Sequence, residues 1–228
     1  MWIAKTLTFF NRLYDLSTGG SKRPVVFDID QSYPQLRILD RGFEFIQREA
    51  RNLLSEKQAI PRYHDLDEMQ TKISAGGEAH QSWKVFYLYA MGERPKANRA
   101  SCPQTAALLD QVPGLFQAFF SILEGGKSVP AHEGPYRGYL RYHLGLIVPR
   151  DNPPSIRIKD CVHTWQEGKS ILFDDSWDHE VYNVSKEDRV VLIVDIRRPM
   201  PFPLNAINLI VERFIQVLYG KKILKQLA

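Results

Sequence analysis

The stretch FFSILEGGKSVPAHEGPYRGYLRYHLGLIVPRDNPPSIRIKDCVHTWQEGKSILFDDSWDHEVYNVSKEDRVVLIVDIRRP, residues 119–199, decides the fold of this chain. Its apolar runs are short, and turn-forming segments punctuate them at 125–126, 149–154, 167–168 and 185–188. The spacing predicts strands over 116–123, 139–148, 155–158, 170–173, 180–183 and 189–196. Many short strands in one run, with no helices between them, indicate an antiparallel jelly roll or sandwich.

Upstream, residues 83–91 alternate Val85, Tyr87 and Tyr89 against Phe86, Leu88 and Ala90, a pattern that predicts a strand buried on both faces. Before the Gly76-Gly77 turn the periodicity is helical. Ile3, Leu7, Phe10 and Leu13 predict an amphipathic helix ended by residues 17–20, and Phe43, Ile46, Ala50 and Leu53 predict a second one capped at Asp40. A further helix is expected over 103–115. After Pro199, Pro201 and Pro203 a final one is expected, capped at Asn205 and ending in a basic segment, 221–225. The class is therefore α+β: one domain over 1–228, with an N-terminal helical flank (1–80), a jelly-roll core (81–199) and a C-terminal helix (200–228).

Composition narrows the functional classes. With 228 residues and 44% hydrophobic content the chain can bury one sizeable core. Its longest apolar runs are strand-sized, far below the roughly 20 residues of a membrane span, and Lys5 and Arg12 interrupt the first helix, unlike a secretory leader. Two cysteines, Cys102 and Cys161, are too few for a disulfide framework or a structural zinc site, and a cytoplasmic setting is expected. The net charge of +4 is modest and concentrated near the C-terminus, so nucleic acid is not an expected partner. The two amphipathic terminal helices leave peripheral membrane association as an alternative to simple packing.

Six histidines carry the search for chemistry. His64, His80 and His163 lie in polar, loop-like settings without companions, so ordinary surface roles are expected. His132, in PAHEGP, ends one strand and His179, in DDSWDHE, begins another; a jelly roll can bring two such strand ends together, where neutral imidazoles bind a divalent metal. Arg189 then opens the apolar run RVVLIVD. A buried guanidinium there needs an anion, and a carboxylate held by a planar fork is the natural one.

The blocks RYHLGLIVP (141–149), WQEGK (165–169), FDDSWDHEV (173–181) and RVVLIVD (189–195) resemble, in order and spacing, the aspartyl/asparaginyl β-hydroxylase family, which broadly includes bacterial lipid A hydroxylases. The resemblance covers about residues 83–199. It implies a double-stranded β-helix (cupin-like) dioxygenase that uses iron(II), 2-oxoglutarate and O2 to hydroxylate an unactivated C–H bond, with succinate and CO2 as co-products. It further implies that His132 and His179 bind iron, that Arg189 and Ser121 hold the distal carboxylate of 2-oxoglutarate, and that Arg141 and His143 line the co-substrate and substrate pocket. One departure stands out. The usual triad places a carboxylate two residues after the first histidine, where this chain has Gly134. Either water or the neighbouring Glu133 then completes the site. Glycine at this place is the pattern of the animal protein hydroxylases of the family, which favours a peptide or amino-acid substrate, whereas the basic amphipathic ends favour a lipid acyl chain. A non-catalytic jelly-roll binding module is the alternative from a different class.

Overall fold

A computed structural model describes residues 2–56, 60–67, 70–75 and 81–227; Gly76-Gly77 and His80 fall outside the described residues. Ten strands build the centre: β1 Val26–Phe27, β2 Trp83–Ala90, β3 Leu115–Leu123, β4 Val129–His132, β5 Tyr139–Ile147, β6 Ser155–Ile158, β7 Cys161–Thr164, β8 Ser170–Phe173, β9 His179–Tyr182 and β10 Arg189–Arg197. They form an antiparallel sheet of six, ordered β1-β8-β5-β10-β3-β2, facing a sheet of four, ordered β4-β9-β6-β7. This is the expected α+β jelly roll.

Three layers explain why β3, β5 and β10 are nearly continuous apolar runs. Their odd and even positions serve different cores. Leu140, Tyr142, Leu144 and Leu146 of β5 turn outward onto Leu39, Ile46, Ala50 and Leu53 of the N-terminal helices. From the opposite face of the large sheet, Phe119, Val191, Ile193, Ile171 and Phe173 meet Val129, Ile156 and Val181 of the small one. Arg141, His143, Ser121 and Arg189 sit on that inner face, in register with or two residues from these apolar positions. A single-residue slip in any central strand would move them into the helix layer.

Several local expectations are corrected. The helix expected from residue 39 is broken at Gly42 into Arg37–Arg41 and Phe43–Ser55. A Cβ at position 42 would lie within contact of the Leu108 side chain and the Ile38 carbonyl, which keeps glycine at the break. Asp40 is therefore no cap; it accepts hydrogen bonds from Arg37 Nη1 (2.9 Å) and Tyr142 Oη (2.9 Å). The helix expected over 103–115 stops at Leu109, and its first amides, Gln104 and Thr105, donate to the buried carboxylate of Glu49 on a different helix. The last helix, Leu204–Ile215, begins one residue before Asn205 and passes through a π turn, Gln216–Gly220, into Lys221–Gln226. His163 is on an edge strand, β7, rather than in a turn. Both cysteines are free thiols.

Candidate active site

The two histidines of the sequence reading are direct cross-strand partners: His132 of β4 faces His179 of β9, with ring centroids 4.2 Å apart. Each ring is fixed in the same way. His132 Nδ1 donates to the carbonyl of Pro130 (2.8 Å), and His179 Nδ1 donates to that of Trp177 (2.8 Å). A carbonyl can only accept, so the proton lies on Nδ1 and Nε2 carries the lone pair, the tautomer a metal requires. Burial lowers both pKa values, His179 to about 3, with His132 itself adding to the shift, so both rings are neutral at physiological pH.

Gly134 lies against a carboxyl group that is not its own. A Cβ built there would fall 2.7 Å from Asp175 Cγ and Oδ2, while the Gly134 amide donates to the Asp175 carbonyl at 2.9 Å. Asp175 is buried, accepts from Tyr139 Oη (3.0 Å) and pairs with Arg141 Nη1 (3.1 Å); its Oδ1 has no hydrogen-bond partner. Burial pushes its pKa up, partly opposed by Arg141. Among the described residues no third carboxylate or thiol joins the histidine pair as a metal-ligand cluster.

Arg189 is the clearest unsatisfied group. It is 2% exposed, makes no ion pair among the described residues, and leaves Nε without an acceptor. Its contacts are the Ser121 hydroxyl, to which Nη1 donates at 3.3 Å, and the face of Trp165, 4.4 Å from the guanidinium carbon. Ser121 Oγ also accepts from Trp83 Nε1 (2.9 Å), which leaves its own O–H free to donate. Burial alone pulls the Arg189 pKa down to about 9, so the group remains a cation at neutral pH. A desolvated cation flanked by a free hydroxyl is a site for an anion.

His143 is buried between Trp165 (5.8 Å, stacked) and Phe173 (4.9 Å, edge-on), and neither ring nitrogen has a partner. Burial, reinforced by Arg141 and Arg189, holds it neutral. Arg141 differs from Arg189, because Asp195 takes it with two bonds (2.7 and 2.8 Å) and Asp175 with a third. It is a fixed charge rather than an open clamp. Glu133 is not among any metal-ligand group of the described residues.

Three contributors carried no role in the sequence reading: Trp165, Trp83 and Asp175. The Asp174-Asp175 pair ahead of His179 was visible as a motif, but what it touches depends on a contact across about 40 residues of chain. Near it, Arg23 and Arg198 both bind Asp174 (2.9 and 2.5 Å), and Trp177 lies between Arg23 (3.6 Å) and Lys159 (4.1 Å).

The chain is 38% identical over 186 residues to the ornithine lipid ester-linked acyl 2-hydroxylase of Rhizobium tropici, covering 81% of the chain and 64% of that protein. It is 36% identical over 122 residues to the human aspartyl/asparaginyl beta-hydroxylase, covering 51% of the chain and 16% of that protein. It thus spans under two thirds of either relative. A Pseudomonas putida prolyl-4-hydroxylase structure aligns with 68% of the chain and 87% of its own, at a TM-score of 0.44 and 14% identity. The sequence model described as Aspartyl/Asparaginyl beta-hydroxylase matches residues 40–199. With that match spanning most of its length, the chain belongs to the aspartyl/asparaginyl beta-hydroxylase family.

Proposed function

We propose that the chain is an iron(II)- and 2-oxoglutarate-dependent dioxygenase that hydroxylates an unactivated C–H bond. The observation that carries this reading is Arg189, a buried cation that has no anion among the described residues and lies beside the Ser121 hydroxyl, whose O–H is free to donate. His132 and His179 present two neutral Nε2 donors, a set that suits a divalent metal and leaves positions for co-substrate and O2. Bound together, metal, 2-oxoglutarate and O2 supply the oxidising power, with CO2 and succinate leaving as one oxygen atom enters the substrate.

The chain's own part is positioning. Arg189 and Ser121 take the distal carboxylate of the co-substrate, and the Trp165 ring packs over the guanidinium. His143, neutral and unpaired, offers one donor and one acceptor to whatever fills the space in front of it. Arg141, neutralised and anchored by Asp195 and Asp175, braces the wall of the site rather than clamping a ligand. The apolar residues between the sheets exclude water from the reacting groups.

For the substrate, a lipid acyl chain is the favoured class. The relative named for acyl-lipid hydroxylation matches along 81% of this chain, against 51% for the protein hydroxylase. The terminal helices also expose apolar side chains. A peptide or amino-acid substrate is the second reading, favoured by Gly134. Among the described residues no helix is long and apolar enough to cross a membrane; the proposed place of action, a cytoplasmic membrane surface, rests instead on the exposed apolar and basic side chains of the terminal helices.

The test is anaerobic addition of 2-oxoglutarate to the iron(II)-loaded chain. A visible charge-transfer band is expected, together with slow succinate release once O2 is admitted, and both vanish in His179→Ala. Iron binding without that band would favour a non-catalytic binding module instead.

A further inference from the structure

We infer that the paired terminal helices form a docking face for an anionic lipid bilayer. The N-terminal helix Trp2–Thr18 and the C-terminal helix Leu204–Ile215 lie side by side, with Tyr14, Leu204, Val211 and Ile215 buried between them and the barrel. The inner faces account for only part of their apolar residues. On the outer faces Phe9 is 64% exposed, Ile210 70% and Val217 59%, and Leu16 and Leu209 are exposed as well. Between the helices runs a groove of about 240 Å³ lined by Leu7, Phe10, Ile210, Phe214 and Leu218, with only apolar surface presented to solvent. A helix apolar on two faces ordinarily buries both, and exposed apolar patches of this kind mark interaction surfaces.

Charge selects the occupant. Arg12, Arg213, Lys221 and Lys225 are exposed on the same helices and their C-terminal continuation. The acids there are spoken for: Asp15 pairs with Arg137 at 2.6 Å, and Glu212 is buried against Arg197. A second copy docked through this face would set cation against cation, because a two-fold interface meets itself. A bilayer with anionic headgroups meets both demands, taking the apolar side chains into its interface and the cations at its surface.

The face is tied to the histidine site. Asn11 brackets the loop that leaves His132, its Nδ2 donating to the Pro135 carbonyl (3.0 Å) and its Oδ1 accepting from the Arg137 amide (2.9 Å). Tyr136 Oη meets Tyr14 Oη (3.2 Å) and donates to Asn208 Oδ1, while Asn208 Nδ2 donates to the Gly138 carbonyl (2.8 Å). A bilayer on these helices therefore lies one loop away from the residues that hold the reaction.

The inference rests on the outer helix faces and not on the dioxygenase reading, so it is tested separately. The full chain, with and without iron(II), is floated with vesicles of phosphatidylcholine alone and of phosphatidylcholine containing about one quarter phosphatidylglycerol. Binding is expected to the anionic vesicles, to weaken at high salt, and to fall at least tenfold in Ile210→Asp/Val217→Asp and in Arg213→Glu/Lys221→Glu, with melting temperatures preserved because all four side chains are exposed. Equal flotation of wild type and both variants would overturn it. So would a failure of the wild type to float, including the case in which light scattering shows a dimer that Ile210→Asp/Val217→Asp dissociates.

Discussion

The absent side chain of Gly134 is the space in which the Asp175 carboxyl group sits: any Cβ at 134 would come within 2.7 Å of it. The residue types at the two positions are thus one decision. Gly134→Ala should cost about 1–3 kcal/mol in stability through overpacking, and reduce succinate production along with it. Gly134→Asp should be worse alone. Combined with Asp175→Gly it should recover stability, and calorimetric iron(II) titration should show tighter binding than wild type, since the carboxylate then hangs from the usual triad position. If the double variant were simply additive, the two positions would not be coupled.

Arg189 should affect stability and ligand binding with opposite signs. Without co-substrate it is a buried charge with no counter-ion among the described residues, so Arg189→Met should raise the melting temperature, by about 2–4 °C for each kcal/mol relieved. The same variant should weaken 2-oxoglutarate binding about 100-fold or more, since the co-substrate carboxylate loses its partner. A variant destabilised in the absence of ligand would show that the guanidinium is already satisfied.

His143→Phe should follow Arg189→Met in direction but less strongly. The ring stacks on Trp165, meets Phe173 edge-on and leaves two nitrogens unpaired, so an apolar ring of similar size removes about 1–3 kcal/mol of desolvation cost from the ligand-free chain. The KM for 2-oxoglutarate or for substrate should rise. Which of them rises, measured by varying each at saturation of the other, identifies the group that the imidazole meets.

Glu212 supplies a pH dependence away from the histidines. Burial raises its pKa from 4.5 to about 7 against the pull of Arg197, so between those values the folded chain holds a proton that the unfolded chain has released. The contribution of Glu212 to stability then falls as pH rises from about 4.5 to 7 and levels off above, opposed at the acid end by the buried histidines, whose lowered pKa values make the unfolded chain the better proton binder there. Glu212→Gln should flatten that slope in melts from pH 5 to 8 and gain on the order of 2 kcal/mol at pH 8. Asp175 shifts in the same direction, so part of the slope should survive.

Much of this was legible in the sequence, for a physical reason. The long central strands declare themselves because both faces are buried, as in the run 189–196; Arg189 stands out at the head of that apolar run, and His132 and His179 as strand-end histidines in the polar segments PAHEGP and DDSWDHE. The edge strands β1 and β7 did not show. Val26–Phe27 has two residues, and Cys161–Thr164 is largely exposed, so each is held by its neighbour's register and not by its own pattern. The break at Gly42 was hidden because the helical periodicity continues across it. Trp165 could not be assigned to the anion site because it reaches Arg189 from across the sandwich, and nothing local to either residue reports the other.

The hydrogen bonds from Asn11, Tyr14 and Asn208 to the loop 135–138 have a consequence for how the chain is divided. The family match ends at 40 and 199, outside which all three residues lie. A chain trimmed to that match would keep the histidines and every group of the anion pocket, yet release the loop between His132 and β5 from its moorings. The matched segment and the segment that holds the histidine loop in place are then different objects, and truncation at either end becomes a way to loosen the His132–His179 end of the barrel without touching a residue inside it.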